Sequence, residues 1–298
     1  MRYRKDFPTV AVFLALIWGL ILNGCGQPAA SSTKVPTSAI QNKGSDTIVN
    51  LALAWAERYR EIRPDVDIAV TGGGSGTGIA ALVNGTVDIA NASRGIKDKE
   101  LESARANGIE PVEFVIARDA IAVIVHPSNP VDRLTIQQIA DIFSGKITRW
   151  SGVGGEDRPI VLLSRETNSG THVYFLEEVI RKGDSEDKTL FSSDTLLLSS
   201  SEGIGTEVRQ NPNAIGYDGL GYVTHDMKTI AVGVSPDQPY WEPTVETVNQ
   251  GRYPIARELY MYTAGEPQGQ IKEFLDWILG PEAQQIVLDL GFVPVNGE

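Results

Sequence analysis

One cysteine and three histidines among 298 residues leave this chain little material for covalent, metal or acid–base chemistry. A lone cysteine closes no disulfide within the chain, so stability has to come from packing. No grouping of His, Cys, Asp and Glu has the spacing of a metal site, and no cofactor is expected. Aromatic residues make up only 7%, so Trp150, Trp241, Tyr217 and Tyr222 are assigned to core and rim packing and not to the stacked platform of a sugar site. Excess positive charge is also absent: the formal charge is −12, which argues against a nucleic-acid partner. The glycine-rich loop at 72–78 lacks the Gly-Lys-Ser/Thr ending of a nucleotide P-loop, since Ile79 follows Gly78, and it does not match Gly-x-Gly-x-x-Gly. Neither Ser75 nor Ser169 sits in a Gly-x-Ser-x-Gly elbow, because Thr77 and Thr171 stand two places on. A binding protein is expected, and not an enzyme.

The one long apolar run lies at the N-terminus. Arg2, Arg4 and Lys5 precede the run 10–22, which is too short for an ordinary spanning helix, and Leu22-Asn23-Gly24-Cys25 resembles a bacterial lipobox. Residues 1–24 are read as a lipoprotein signal peptide and Cys25 as the lipidation site that holds the protein at a membrane, outside the cytoplasm. Loss of Arg2, Arg4, Lys5 and Asp6 with that segment takes the charge from −12 to −14. Residues 25–40, rich in Pro, Ser, Thr and Ala, read as a tether.

The most informative segment is Arg165-Glu166-Thr167-Asn168-Ser169-Gly170-Thr171, which sets a cation, hydroxyls and free backbone N–H groups before an apolar helical run. A helix start offers unpaired N–H groups and partial positive charge, and arginine adds a planar fork of donors suited to a tetrahedral oxyanion. Two further loops follow the same logic. Gly44-Ser45-Asp46-Thr47 opens the helical stripe Ile48, Leu51, Ala52, Trp55, Ala56, Tyr59 and Ile62. Gly72-Gly73-Gly74-Ser75-Gly76-Thr77-Gly78 follows the strand candidate Val66, Ile68, Val70 and precedes Ile79, Leu82 and Val83. Each loop alone reads as an ordinary cap; three together favour a shared anion.

These segments, with Asp-Ile-Ala-Asn-Ala-Ser-Arg at 88–94, resemble the PstS-type phosphate-binding proteins of phosphate ABC transporters, over nearly the whole chain from Gly44 to Val295. The resemblance implies a two-lobed periplasmic-binding-protein fold of type II, inorganic phosphate as ligand, an ABC permease as partner and a monomer. It carries the anion contacts onto Arg165, Ser169, Gly170, Thr171, Thr47, the N–H of Ile48 and Ser75, with Ser45, Asp46, Ser93 and Arg94 completing the candidate set. Familiar members have aspartate after the serine of the Ala-Ser segment, an acceptor for the proton that phosphate keeps, whereas this chain has Arg94 there, as a shorter branch of the family does. Asp46 is the nearest substitute acceptor, or else a cap of the helix that follows it. Sulfate or another oxyanion stays open as the ligand, and a phosphoester hydrolase using Ser169 and His172 as the enzyme alternative.

The element order predicts an α/β fold with a largely parallel sheet. Helices are read after Thr47 and at 78–84, 97–106, 135–143 and 203–210, with strands at 66–70, 87–92, 112–116, 119–126, 159–164, 195–198, 214–217 and 229–234. Residues 41–118 with 257–298 are expected to form one lobe and 119–256 the other, the chain crossing between them near 117–121 and 254–258.

Overall fold

The computed structural model describes residues 39–295; the signal segment, Cys25 and the tether as far as residue 38 lie outside the described residues. β1 (Ile40–Gly44) leads into α1 (Asp46–Ile62), which buries Ile48, Leu51, Ala52, Trp55 and Tyr59 of the expected stripe, while Ala56 is partly buried and Ile62, at the helix end, is exposed. β2 (Ile68–Thr71), α2 (Ser75–Val83), β3 (Ile89–Ala92) and α3 (Asp98–Ala106) follow, then the long β4 (Val112–Val125). Next come β5 (Arg133–Thr135), α4 (Ile136–Phe143), β6 (Val161–Arg165), α5 (Gly170–Tyr174) with a π-helical continuation (Phe175–Ile180), β7 (Leu196–Leu198), α6 (Ser201–Gln210) and β8 (Ala214–Gly219). β9 (Lys228–Thr229), β10 (Ala231–Gly233), α7 (Val245–Asn249), β11 (Ala256–Thr263), α8 (Gly269–Ile278) and α9 (Pro281–Asp289) complete the described chain.

One sheet runs in the order β2-β1-β3-β11-β4-β8-β6-β7, with β9 also on β4, while β5 and β10 pair separately. Its flanks are parallel, β2-β1-β3 at one end and β8-β6-β7 at the other, as alternation of strand and helix requires. The centre differs from the expectation: β11 is antiparallel to both β3 and β4, and β4 is antiparallel to β8. β4 is the shared strand. Residues 112–120 pair with β11, and 121–125 pair with β8.

Three readings of the sequence change, one of them at 229–234, which is not one strand but two, β9 pairing with β4 and β10 with β5. The segments 112–116 and 119–126 are one strand, because the residues between them, Ala117 and Arg118, pair with Leu259 and Glu258 of β11 and the ladder runs on through them. β1 begins at Ile40, a residue assigned to the tether. Ile40 is the only apolar residue in Ile-Gln-Asn-Lys-Gly, so no alternation betrays the strand; backbone pairing to β2 and β3 on both sides creates it.

The apolar residues gather into clusters on either side of β4. Around α1, α8 and α9, Leu51, Trp55, Leu259, Phe274 and Val287 pack together, and beyond β4, Val123, Phe143, Trp150, Phe175 and Tyr217 form another cluster. Trp55 is fully buried, and its Nε1–H donates to the Ala283 carbonyl at 2.9 Å, fastening α1 to α9. Trp55→Ala is expected to destabilise the folded protein by about 3–5 kcal/mol in chemical denaturation. Trp55→Phe, which keeps an aromatic ring in the core but removes the Nε1–H donor, should cost less, about 0.5–1.5 kcal/mol for the lost bond. A Trp55→Phe variant as stable as the parent would show that this hydrogen bond does not fasten α1 to α9.

Candidate functional site

The three sequence-marked loops and the Ala-Ser segment all leave the carboxyl ends of strands: Ser45 after β1, Ser75 after β2, Ser93 after β3 and Ser169 after β6. In α/β sheets this edge is where loops lead into helices and where ligands collect. Gly44 adopts φ +147°, and a side chain there would collide with the Asn91 carbonyl, so only glycine lets β1 turn this close to β3.

Hydroxyls converge behind these turns. Ser45 Oγ donates to Ser93 Oγ at 2.9 Å, Ser75 Oγ lies 3.2 Å from Ser93 Oγ, and the Ser93 N–H donates to Ser75 Oγ at 3.0 Å. Gly170 packs onto this trio: a Cβ there would overlap the Ser75 hydroxyl and stand 2.6 Å from that of Ser93. Thr47 Oγ1 and Thr171 Oγ1 meet at 2.8 Å. Ser45, Thr47, Ser75, Ser93, Ser169, Gly170 and Thr171 are all buried, so residues more than a hundred positions apart share one spot. The two walls of the site, the loops after β1, β2 and β3 on one side and the loop after β6 on the other, also touch directly, with Asn168 Nδ2 donating to the Gly73 carbonyl at 2.9 Å and the Gly76 N–H to the Asn168 carbonyl at 3.1 Å.

Four candidates are engaged differently from the expectation. The Arg165 guanidinium is 1% exposed, and its donors go to Asp46 Oδ2 at 2.7 Å, Ser201 Oγ at 2.8 Å and the carbonyls of Ser199 and Leu198 at 2.9 and 3.3 Å. Asp46 neither caps α1 nor stands free as an acceptor: Oδ2 holds Arg165 across the walls and Oδ1 accepts the Gly73 N–H at 3.0 Å. Arg94 makes a bidentate pair with Glu100 at 2.7 and 2.8 Å, which turns its fork onto α3 instead of onto the hydroxyls. Burial alone would raise Glu100, but this pairing and the Lys97 N–H hold its carboxyl below the ordinary range. The Ile48 N–H is taken by the Ser45 carbonyl at 3.1 Å within the first turn of α1.

The sequence reading missed Arg257 and Asp119. Both side chains are essentially buried, facing each other across β11 and β4, with Arg257 Nη2 and Nε at 3.0 and 3.3 Å from Asp119 Oδ2. Arg257 Nη2 also reaches Thr171 Oγ1 at 3.0 Å and Thr47 Oγ1 at 3.4 Å, and Nη1 donates to the Ser93 carbonyl at 2.9 Å. Burial pushes the Asp119 carboxyl up while Arg257 pulls it down. The available signal was a charge inside each of two apolar strand runs. Asp218, buried at the end of β8, is pushed up to about 6 by burial; its Oδ1 accepts from Ser201 Oγ and the Gly219 N–H at 2.8 Å, and its Oδ2 has no partner.

His172 does not serve Ser169. Its Nδ1 lies 3.0 Å from Ser164 Oγ and its ring stacks on Phe191 at 4.6 Å, where burial lowers its basicity. Among the described residues no group of three or more His, Cys, Asp and Glu could hold a metal ion, and no helix is long and apolar enough to cross a membrane.

The chain is 33% identical to the phosphate-binding protein PstS of Pseudomonas aeruginosa over 86% of this chain and 83% of that protein. It is 31% identical to PstS of Bacillus subtilis, over 98% and 95%. Among solved structures, a Clostridium perfringens chain assigned as a phosphate ABC transporter substrate-binding protein, with phosphate bound, superposes with a TM-score of 0.78 at 33% identity, covering 87% of this chain and all of that one. An ABC-type phosphate transport receptor from Vibrio cholerae gives 0.68 at 28% identity, covering 85% of this chain and 99% of that one. The model of the PBP superfamily domain matches residues 28–282, and with these relatives it establishes that the chain belongs to the PstS-type phosphate-binding proteins and has their two-lobed α/β fold.

Proposed function

We propose that this chain captures inorganic phosphate between its lobes outside the cytoplasm and delivers it to an ABC permease, as a monomer held at the membrane by lipid on Cys25. The lobes are 41–118 with 257–298 and 119–256, joined where β4 and β11 cross. The observation that carries the reading is the convergence of hydroxyls from four strand ends on one buried spot backed by a guanidinium. Hydroxyls and N–H groups suit a tetrahedral oxyanion, which is held by local donors at short range, whereas surface charge is screened within about 8 Å. The overall negative charge therefore does not oppose an anion at this depth. Thr47, Ser75, Ser169, Gly170 and Thr171 are the proposed contacts, with Ser45 and Ser93 orienting them from behind. No catalytic role is assigned, since His172 is committed to Ser164 and Phe191. Differential contact with the anion favours the state in which the walls meet.

Calorimetric titration of phosphate and sulfate into the lipid-free protein tests this reading. Phosphate should bind one to one, compact the protein in small-angle scattering and stabilise it by about 2.7 kcal/mol at a hundredfold excess over Kd. Absence of phosphate binding would refute the proposal.

The Asp46–Arg165 pair joins the two walls, so it should act as a latch on phosphate affinity. Arg165→Ala is expected to weaken phosphate binding by about 2–4 kcal/mol. Asp46→Asn keeps an acceptor for the Gly73 N–H but removes the ion pair, and the two substitutions should be coupled by about 1–3 kcal/mol in a double-mutant cycle. Additive effects, within about 0.5 kcal/mol, would mean that the pair is no latch.

A further inference from the structure

Every donor nitrogen of Arg165 is directed at Asp46, at Ser201 or at a backbone carbonyl; the guanidinium that touches the ring of hydroxyls is that of Arg257. Its Nη2 gives N–H to Thr171 Oγ1 at 3.0 Å and to Thr47 Oγ1 at 3.4 Å, one threonine from each wall. The two hydroxyls lie 2.8 Å apart, so one must donate to the other. A hydroxyl has one hydrogen and two acceptor positions. With Arg257 occupying an acceptor position on each, one hydrogen of the pair is spent between them and the other is left to point outward. Arg257 therefore sets the direction of the threonine pair as a donor, which an anion requires and a cation or a neutral acceptor-poor ligand does not.

Asp119 sets Arg257 in turn. Its Oδ2 takes both Nε–H and Nη2–H, the Leu220 N–H donates to Oδ1 at 3.0 Å, and the carboxyl is fully buried. The second cation, Arg165, is likewise faced by a carboxylate, Asp46. Both guanidinium charges at the site thus arrive compensated. A ring of directed dipoles over compensated cations receives a monoanion readily, whereas a bare guanidinium would reward a second negative charge on the ligand.

We infer that Arg257, held by Asp119, is the positioning residue that fixes the donor direction of Thr47 and Thr171 and the ligand charge the site accepts, with Arg165 acting instead as the cross-wall latch. The inference rests on the phosphate reading above. Arg257 belongs to none of the loops that signal the site in sequence, and it lies in β11 next to the crossing between lobes.

The test compares phosphate and sulfate affinity at a mildly acid pH, where phosphate is mostly the monoanion and sulfate the dianion. Asp119→Asn leaves an acceptor for Arg257 and removes the compensating charge, so the sulfate-to-phosphate affinity ratio should rise at least tenfold over the parent. A purely structural pair would lower both affinities together and leave the ratio in place; a ratio within twofold of the parent overturns the inference. Because a lone substitution at a buried pair can prevent folding, the neutral combination Arg257→Gln with Asp119→Asn is the second arm. It should melt near the parent temperature yet bind phosphate at least thirtyfold more weakly. Recovery of parental affinity in that double variant would also overturn the inference. A parent that binds neither anion removes the functional reading itself, whereas a parent that binds phosphate alongside unaffected variants removes only the role of Arg257.

Discussion

The buried ion pair between Arg257 and Asp119 is the constraint around which the rest of the site is organised. Taking two charges out of water is expensive, and an isolated pair of this kind often gains no more than an apolar replacement would. Here each nitrogen of Arg257 and each carboxylate oxygen of Asp119 has a partner: the Ser93 carbonyl and two threonine hydroxyls add to the pair on the Arg257 side, and the Leu220 N–H on the Asp119 side. The pair lies in the β4–β11 register, where the sheet passes from one half of the molecule to the other. Structural charge and ligand donors therefore occupy one contiguous network.

A second network has the same form. Arg165 links Asp46 of one wall to Ser201 of the other, and Ser201 passes a hydrogen bond on to Asp218. In both networks a guanidinium on one element meets a carboxylate on another, with hydroxyls filling what is left. This explains how an acidic chain can build an anion receptor. Under the proposed function the anion meets oriented dipoles whose cations are already compensated, and distant carboxylates are screened. Displacing Arg257 would leave the buried Asp119 carboxylate without its ion-pair partner, and displacing Arg165 would leave the partly buried Asp46 with only the Gly73 N–H, so stability and recognition are tied together at these residues.

The loops were legible because their chemistry is local. Glycine, serine and threonine next to the start of a helical stripe announce a strand-to-helix turn and free donors within a few residues, and Ser45, Thr47, Ser75, Ser93, Gly170 and Thr171 do come together. The core helix α1 was legible for the same reason, since a 3.6-residue stripe is a property of contiguous residues. β1 was not, because its pairing with β2 and β3 leaves no side-chain signature in a strand with one apolar residue. The tasks of Asp46, Arg94 and Arg165 could not be read either. A charged side chain declares only its charge, and its partner is chosen by whatever the fold brings within reach.

The sequence by itself determined the strand–helix alternation around the loops, the amphipathic stripe of α1 and the supply of hydroxyls, N–H groups and arginines from which an anion site can be made. Tertiary structure alone decided which guanidinium faces the hydroxyls. Asp119 and Arg257 are 138 residues apart, and their meeting depends on the antiparallel register of β4 and β11, which no local pattern specifies. Electrostatic partnership inside a protein falls off over a few ångströms, so it is set by distance in space, and distance in space is what the folded sheet adds to the chain.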